Sequence, residues 1–387
     1  MQVTDYQVFE VPPRWQFVKI ETSSDLIGWG EPILEGRART TSEAVSELMD
    51  NYVVGSSPFE IEDLWQQMYR SGFYRGGPIL MSAIAGIDQA LWDIKGQYLD
   101  VPVYELLGGK VRDQIRLYGH IPAEDHSPDA YAEGAAELVD RGFTAIKTTP
   151  TEAVKRVDNP AIVAKARERL EAIRQAVGTE VDVALDFHGR VTKPMVKRLA
   201  DVLEPYEPMW IEEPVLPQQN DALPGLASYT SIPIATGERM FSRWDFKQVF
   251  EQQSVDIIQP DLSHAGGITE VKKIASMAEA YDIAVAPHSP LGPISLAASV
   301  QIDACSPNAL IQEQVFHRNG YYSEDIDVRS YLTNPEVLDF GEGGYVELPT
   351  GPGLGIDVNE EYIREVQEED LYEIPTWRHK DGSLAEW

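Results

Sequence analysis

The sequence contains a single cysteine, Cys305, among 387 residues. One cysteine cannot form a disulfide within the chain, and it excludes a metal site built from several thiolates. Because Cys305 lies in the apolar stretch LAASVQIDAC, we expect it to be a small, buried core residue. Stability must come from a hydrophobic core, and a chain of this length with 43% hydrophobic residues can form one, most naturally in two domains.

Basic residues are also scarce. The chain has 32 lysines and arginines against 63 aspartates and glutamates, which gives a net charge of −31. Such a surface repels nucleic-acid phosphates and anionic lipids, so we expect neither nucleic acid nor membrane as a partner. The charge suits a halophilic protein in a salty cytoplasm, where ions screen the repulsion between carboxylates.

Salt dependence tests this interpretation. We expect the chain to lose structure when salt is removed, because its negative charges then repel one another over a longer distance. Thermal unfolding followed by circular dichroism, in low salt and in molar KCl, measures the effect. A melting temperature that does not change with salt would count against a halophilic protein.

Long hydrophobic runs are missing too. No segment reaches the roughly 18 apolar residues that a membrane-spanning helix needs. The first residues, MQVTDYQVFEV, lack the basic and apolar regions of a secretion signal. We therefore expect a soluble, cytoplasmic protein.

Two patterns divide the chain. Residues 1–114 contain alternating stretches (VTDYQVFEV, WQFVKIET) and then helical ones (AIAGIDQALWDIKGQYL), which predicts an α+β capping domain. Residues 115–320 alternate strictly between strand and helix patterns, and residues 321–387 are predicted to complete this unit and pack back on the cap. An open doubly wound sheet is the alternative, but the glycine-rich dinucleotide turn that it requires is missing.

The middle region contains eight strand patterns, which predicts an α/β fold: a (β/α)8-type barrel in its modified (β/α)7β form. The predicted strands are Ile115–Tyr118, Thr144–Thr148, Val183–Asp186, Met209–Glu212, Ile232–Thr236, Asp256–Gln259, Ile283–Pro287 and Ala309–Gln312.

Three carboxylates follow three of these strands at equal spacing. Asp186, Glu212 and Glu238 are 26 residues apart, about the length of a strand, a helix and the next strand. The carboxyl ends of barrel strands meet at one face, so the three side chains should converge. Converging carboxylates repel one another unless a cation holds them, and oxygen ligands suit Mg²⁺. A helix cap is the alternative role for Asp186, and only one of Glu212 and Glu213 can face the metal.

Histidines share this predicted rim. His288 ends the seventh strand and Asp261 follows the sixth; neighbouring strands lie about 5 Å apart, so the carboxylate can orient the imidazole as a general base. His264 can also pair with Asp261. His188 lies two residues after Asp186, on the same face of the strand.

Two further rim residues complete the set. Lys147 ends the second strand, where it can neutralise a substrate carboxylate or form a salt bridge with the metal carboxylates. Glu313 ends the eighth strand and adds a polar group to the same rim; it can also be structural. For His188, the alternative is a hydrogen-bonded helix cap beside Gly189.

Long motifs add a family resemblance. The sequence contains LDFHGRV, WIEEPVL, GERMFSR, QPDLSHAGGITE, APHSPLGPI and WRHKDGSLAEW. Together they resemble the enolase superfamily, mandelate racemase subgroup, over nearly the whole chain. The resemblance implies one Mg²⁺ per active site, a homo-oligomer between dimer and octamer, and a sugar-acid dehydratase. D-Galactonate is the implied substrate, with D-gluconate as the alternative.

The resemblance also implies roles for the rim residues. His288, oriented by Asp261, would remove the proton from C2 of the acid, with Glu313 hydrogen-bonded to the enediolate that forms. His188 would protonate the departing 3-hydroxyl, and Lys147 would assist in binding the acid. The product would be a 2-keto-3-deoxy sugar acid.

The capping region and one departure from the superfamily bear on specificity. Arg14, Tyr74 and Arg75 are predicted to lie over the barrel mouth and contact the hydroxyl-bearing chain of the sugar acid.

Many relatives carry a second lysine at the position of Thr149, and its absence disfavours racemases that use a lysine and a histidine. An epimerase with His188 as the opposite base remains an alternative, as does a sugar-acid binding protein without activity.

Overall fold

The N-terminal part of the chain forms an antiparallel sheet followed by helices. A computed structural model describes residues 1–123, 125–317, 326–368, 374 and 376–386. The sheet consists of β1 (Val3–Val11), β2 (Trp15–Thr22) and β3 (Ile27–Gly30), in that order. The helices are α1 (Ala38–Leu48), α2 (Ile61–Arg70), α3 (Pro78–Leu99) and α4 (Val103–Leu106). The predicted α+β architecture of this part is confirmed.

Strand β3 lies directly against helix α3, and two of its glycines allow this contact. A Cβ atom on Gly28 would lie 2.1 Å from the backbone oxygen of Ala90, and one on Gly30 would lie 1.8 Å from that of Gly86. Any other residue at either position would push the strand away from the helix. These glycines therefore fix where the loop after β3 begins.

Eight parallel strands follow within the described residues, separated by helices. The strands are β4 (Gln114–His120), β5 (Ala145–Thr148), β6 (Asp182–Asp186), β7 (Ile211–Glu212), β8 (Ile234–Thr236), β9 (Ile257–Ile258), β10 (Ala284–Val285) and β11 (Gln312–Glu313). The helices between them are α5 (Pro128–Asp140), α6 (Pro160–Val177), α7 (Lys193–Leu203), α8 (Leu223–Ala227), α9 (Arg243–Gln252), α10 (Gly267–Glu279) and α11 (Pro293–Ala304).

The parallel sheet closes on itself. Consecutive strands pair from β4 to β10, and β11 pairs with the free side of β4. Val285 in β10 exchanges backbone hydrogen bonds with Asn308 and Leu310, just before β11 begins. The predicted modified (β/α)7β barrel is confirmed, and each of the eight predicted strands overlaps an observed one, although Ala309–Gln312 shares only Gln312 with β11. Regular pairing in β7 covers two of the four predicted residues, although Met209 still donates its N–H to the Val183 oxygen at 2.8 Å.

The interior of the barrel combines large and small side chains. The rings of Tyr118 and Trp210 fill the centre, with their centroids 5.8 Å apart. Ala145, Ala184 and Ala235 point into the same interior and leave room for these two rings. Such a packed interior leaves no channel through the barrel. Ligands can therefore reach the barrel only from its ends.

The C-terminal part returns to both earlier parts. Its strand β12 (Tyr345–Glu347) pairs antiparallel with β4, and its helix α12 (Glu360–Val366) lies beside β1. Lys19 Nζ lies 3.1 Å from Glu360 Oε1, and the Tyr331 hydroxyl donates to the backbone oxygen of Pro12 at 2.5 Å. The domain boundaries at residues 114 and 320 stay predictions, and the second lies outside the described residues.

Two buried acids join the N-terminal part to the rest of the chain. Glu31 accepts hydrogen bonds from the backbone N–H groups of Gly292 (2.7 Å) and Ser295 (2.9 Å), at the start of α11. Asp93 in α3 accepts from the N–H groups of Trp29 and Leu354. A buried N–H that loses its acceptor costs about 1–3 kcal/mol. These carboxylates therefore hold the N-terminal sheet, α3, α11 and the C-terminal part in one arrangement.

Cys305 is 5% exposed and unpaired, which confirms the prediction made from its apolar neighbours. None of the described helices is both long and apolar enough to cross a bilayer.

Candidate active site

A cavity of about 790 Å³ opens at the carboxyl ends of the barrel strands. Most of the polar residues predicted for the rim line this cavity. They are Lys147, Asp186, His188, Glu238, His288 and Glu313. Glu212 and Asp261 lie directly behind them and are fully buried. The structure therefore brings the predicted metal ligands and the predicted acid–base groups into one place.

The period of a β-strand explains why these side chains point inward. Side chains two residues apart lie on the same face of a strand, so most interior residues are followed two positions later by a rim residue. The pairs are Ala145 and Lys147, Ala184 and Asp186, Trp210 and Glu212, Ala286 and His288, and Ile311 and Glu313.

Glu238 departs from this rule, since it lies three residues after the interior residue Ala235. The intervening Gly237 has a φ of +144°, and a Cβ atom there would lie 2.9 Å from the backbone nitrogen of Gln259. Gly237 thus turns the chain so that Glu238 faces the cavity, in a conformation that other residues would not adopt without strain.

The three carboxylates of Asp186, Glu212 and Glu238 lie together. One ligand oxygen from each lies within 4.8 Å of the other two. Burial raises the pKa of Glu212, Lys147 lowers it, and the Asp186 carboxylate raises it again, to about 8. Burial also raises the pKa of Glu238. The crowding of buried negative charge and the all-oxygen donor set both fit a divalent cation such as Mg²⁺.

Lys147 connects two of the rim acids. Its Nζ lies 2.8 Å from Glu212 Oε1 and 2.7 Å from Glu313 Oε1, with Asp186 at 3.9 Å. Burial lowers the pKa of Lys147, but Glu212 and Glu313 outweigh this effect and raise it well above its usual value. The Trp210 Nε1–H donates to the other oxygen of Glu212 at 3.1 Å. Lys147 therefore stays charged, and Glu212 is held on both of its oxygens.

His288 and Asp261 form a close pair. The His288 Nδ1 lies 2.7 Å from Asp261 Oδ2, and the backbones of the two residues pair in parallel. Ser263 donates its N–H to the other oxygen of Asp261 at 2.7 Å. The Nε2 of His288 faces the cavity, 3.3 Å from Glu238 Oε2 and 3.9 Å from Glu313 Oε2. Asp261 thus orients His288 with Nε2 toward the carboxylate cluster.

His288 is sensitive to the charge of that cluster. Burial lowers the pKa of its imidazole, but Glu313 and Glu238 outweigh this effect and raise it to about 10. A cation that neutralises Glu238 would remove part of this effect and favour the uncharged, basic imidazole.

His188 lies on the opposite side of Asp186. Its backbone N–H donates to Asp186 Oδ1 at 2.7 Å, and its Nε2 lies 2.9 Å from Asp186 Oδ2. Arg190 Nη2 lies 3.1 Å from Nδ1. Burial lowers the pKa of His188, but Asp186 outweighs this effect and raises it. His188 has a φ of +49°, a conformation uncommon for non-glycine residues and found at functional sites.

The second glutamate of the MWIEEP motif, Glu213, forms an ion pair beside the cluster. Glu213 accepts hydrogen bonds from the Thr236 hydroxyl and from Gly237 N–H. Its Oε2 also lies 2.6 Å from Arg239 Nη2. Arg239 in turn donates to the backbone oxygen of His188 at 3.1 Å. Glu213 therefore supports the loops that carry His188 and Glu238.

The three predicted capping residues differ in position. Arg14 lines the cavity and lies 3.2 Å from Glu35 Oε1. Tyr74 is 87% exposed, Arg75 is exposed as well, and neither lines the cavity. The structure does not bring these two residues to the mouth within one chain, and their contact with a substrate stays a prediction.

Sequence reasoning missed several cavity residues. His120 lies 2.7 Å from Glu313 and follows the interior residue Tyr118 by two positions, so the strand period could have identified it. Glu35, Arg190 and Trp377 also line or adjoin the cavity, but they lie in loops and no sequence periodicity marks them. His264, predicted to pair with Asp261, lies 4.0 Å from it and 3.0 Å from the Ser82 hydroxyl.

Comparisons with known proteins define the class to which this fold and site belong. Residues 13–108 match the mandelate racemase / muconate lactonizing enzyme N-terminal domain, and residues 130–362 match the enolase C-terminal domain-like family. The chain belongs to this family of the enolase superfamily.

Two relatives are similar to this chain over its whole length. D-galactonate dehydratases from Ralstonia pickettii and Ralstonia nicotianae are each 53% identical to this chain, over 100% of both proteins. Solved structures agree in fold. A mandelate racemase/muconate lactonizing enzyme from Jannaschia sp. superposes with a TM-score of 0.86 at 33% identity, over 95% of this chain and 98% of that one. The enzyme of that name from Sulfitobacter sp. gives 0.87 at 31% identity, over 95% and 96%.

Proposed function

We propose that the chain is a Mg²⁺-dependent sugar-acid dehydratase that converts D-galactonate into 2-keto-3-deoxy-galactonate. The observation that carries the proposal is the placement of two imidazoles around the same carboxylate cluster, His288 oriented by Asp261 and His188 beside Asp186. Dehydration needs one group that takes a proton and another that gives one. The identity of 53% to two whole D-galactonate dehydratases supports the choice of substrate.

Asp186, Glu212 and Glu238 would hold the metal ion. When bound, Mg²⁺ would supply charge stabilisation for the enediolate, worth several kcal/mol. Lys147 adds a fixed positive charge beside the same cluster, because Glu212 and Glu313 keep it protonated. A substrate carboxylate would be attracted to this end of the cavity.

His288 is the proposed base. Asp261 accepts a hydrogen bond from Nδ1–H, so the neutral imidazole can use Nε2 to remove the proton from C2 of the acid. Glu313 and Glu238 stabilise the imidazolium that forms, since both lie within 4 Å of Nε2. Burial raises the pKa of Glu313, but Lys147 and His288 outweigh this effect and hold it well below its usual value, so Glu313 acts as a fixed negative charge beside His288.

His188 is the proposed acid. Its Nε2 faces the cluster, so the charged imidazole can protonate the 3-hydroxyl as that group leaves C3 and return to its neutral form. Burial lowers the pKa of His188, but Asp186 outweighs this effect and raises it, which favours the charged form that an acid needs. The enol product then becomes the 2-keto-3-deoxy acid without further help from the protein.

We also propose that the enzyme works in the cytoplasm as a homo-oligomer of between two and eight copies. Phe73 and Tyr74 support the oligomer, because two neighbouring aromatic side chains that are 90% and 87% exposed are typical of a contact surface. Light scattering of the purified protein measures the number of copies, and a monomer at micromolar concentration would contradict the proposal.

A screen of six-carbon aldonic acids with Mg²⁺, followed by keto-acid formation, tests the function. We expect D-galactonate to have the highest kcat/KM. D-Gluconate, its C4 epimer, should be about 10–100-fold poorer, because a misplaced hydroxyl leaves a hydrogen-bonding group in the site unpaired.

Two results would contradict the function. Conversion of a five-carbon acid alone would show that the substrate is wrong. Deuterium at C2 of recovered acid in D₂O, without loss of water, would indicate an epimerase instead of a dehydratase.

A further inference from the structure

The end of the chain forms a small turn beside the cavity. In this C-terminal turn, defined here as residues 376–386, Ala385 donates its N–H to the Trp377 oxygen at 3.0 Å. His379 donates to the Ser383 oxygen at 2.9 Å inside it. Trp377 is one of the residues that line the cavity. A side chain far from the barrel in sequence thus forms part of the wall of the site.

Ile374, shortly before the C-terminal turn, packs against the N-terminal part. A Cβ atom on Gly36 would lie 2.0 Å from Cγ1 of Ile374, so the Ile374 side chain occupies the space that the glycine leaves. Gly36 also has a φ of +68°, which disfavours other residues. Leu34 and Glu35, directly before it, line the cavity. The loop after β3 and the C-terminal turn therefore meet at the mouth.

Trp377 lies on the side of the cavity that holds the proposed acid. The guanidinium carbon of Arg190 lies 5.3 Å from the centre of the Trp377 ring, a distance typical of a cation–π contact. Arg190 also contacts His188, which contacts Asp186. These contacts connect Trp377 to the carboxylate cluster through Arg190 and His188.

We propose that Trp377 is a specificity-determining residue that selects the length of the sugar acid. This inference rests on the proposed function, in which C1 to C3 of the acid lie at the carboxylate cluster and His188. The carbons beyond C3 must then extend past His188, toward Arg190 and Trp377. The apolar face of the indole can pack against their C–H groups, while the Arg190 guanidinium donates to their hydroxyls.

The experiment compares a six-carbon acid, D-galactonate, with a four-carbon acid of the same configuration at C2 and C3. The variants are Trp377→Ala, Trp377→Phe and Ile374→Ala, each assayed with Mg²⁺. Leu384→Ala is the matched control, because Leu384 lies in the C-terminal turn but is 68% exposed and does not line the cavity. Thermal unfolding of each variant verifies that it folds.

We expect Trp377→Ala to raise KM for D-galactonate about tenfold, because the carbons beyond C3 lose the aromatic face against which they pack. The KM of the four-carbon acid, or its inhibition constant where turnover is slow, should change less than twofold. The KM of Trp377→Phe for D-galactonate should lie between the values for the wild type and for Trp377→Ala. Ile374→Ala should raise this KM by a few-fold. Leu384→Ala should match the wild type.

Equal losses for both acids would overturn the inference, because they would indicate a general effect on the site. An unchanged KM for D-galactonate in Trp377→Ala would overturn it as well. If the wild type dehydrates neither acid, the proposed function fails. In that case, calorimetry measures the binding of the two acids to the same variants and tests the role of Trp377 without activity. Equal weakening of the binding of both acids would reject that role.

Discussion

Replacement of His288 by asparagine should reduce kcat for dehydration by about 10³–10⁴-fold. Asparagine has a similar shape and can still donate to Asp261, so the 2.7 Å contact that orients the side chain is retained. It cannot accept a proton, so the C2 proton should stay in place. Keto-acid formation measures the loss of activity, and NMR of the recovered substrate in D₂O measures exchange at C2.

Two other variants make this result specific. His188→Asn should also stop the loss of water, but it should leave C2 exchange measurable because His288 is intact. His317→Asn is the matched control, since His317 contacts the backbone oxygen of Leu338 and does not line the cavity. Its kcat should stay within about twofold of the wild type. Full C2 exchange in His288→Asn would show that another group is the base.

Removal of the metal should abolish activity completely, and Mg²⁺ should restore it. Without a cation the enzyme should also become less stable as pH rises from about 6 to 8. Burial raises the pKa of Glu212 to about 8, so the folded chain holds a proton there that the unfolded chain releases near 4.5. The stability present at low pH is therefore lost as pH rises toward 8. His288, with its pKa raised to about 10, acts in the same direction.

Mg²⁺ should reverse this loss, so the increase in melting temperature on adding Mg²⁺ should grow between pH 6 and pH 8. At 100 times its dissociation constant, a ligand stabilises a fold by about 2.7 kcal/mol. Glu212→Gln should remove most of this increase, while Glu251→Gln, at an exposed position on α9, should leave it unchanged. A melting temperature that does not respond to Mg²⁺ at either pH would count against the metal site.

The barrel and most of its rim could be predicted because both follow from local rules. An equal spacing of 26 residues places Asp186, Glu212 and Glu238 after successive strands, and the two-residue period of each strand turns most rim side chains inward. The pairing of Asp261 with His288 follows from the fixed distance between neighbouring strands. Neither prediction requires knowledge of how distant parts of the chain pack.

The wall of the cavity could not be predicted in the same way. Trp377 and Glu35 reach the site through loops whose path depends on distant packing, such as Ile374 against Gly36. The positions of Tyr74 and Arg75 also depend on distant packing. They are predicted to lie over the mouth, but in this chain they are exposed and outside the cavity.

The Glu31 carboxylate has a consequence for how such enzymes can be recombined. It binds two N–H groups at the start of α11, and the loop that leads into this helix begins at His288. A chimaera that joins this barrel to the first strands of a relative would keep the loop in register only where the incoming segment also has an acid at this position. Shuffling within the family should therefore depend on this buried acid, and also on Asp93, which binds the C-terminal part through Leu354 N–H.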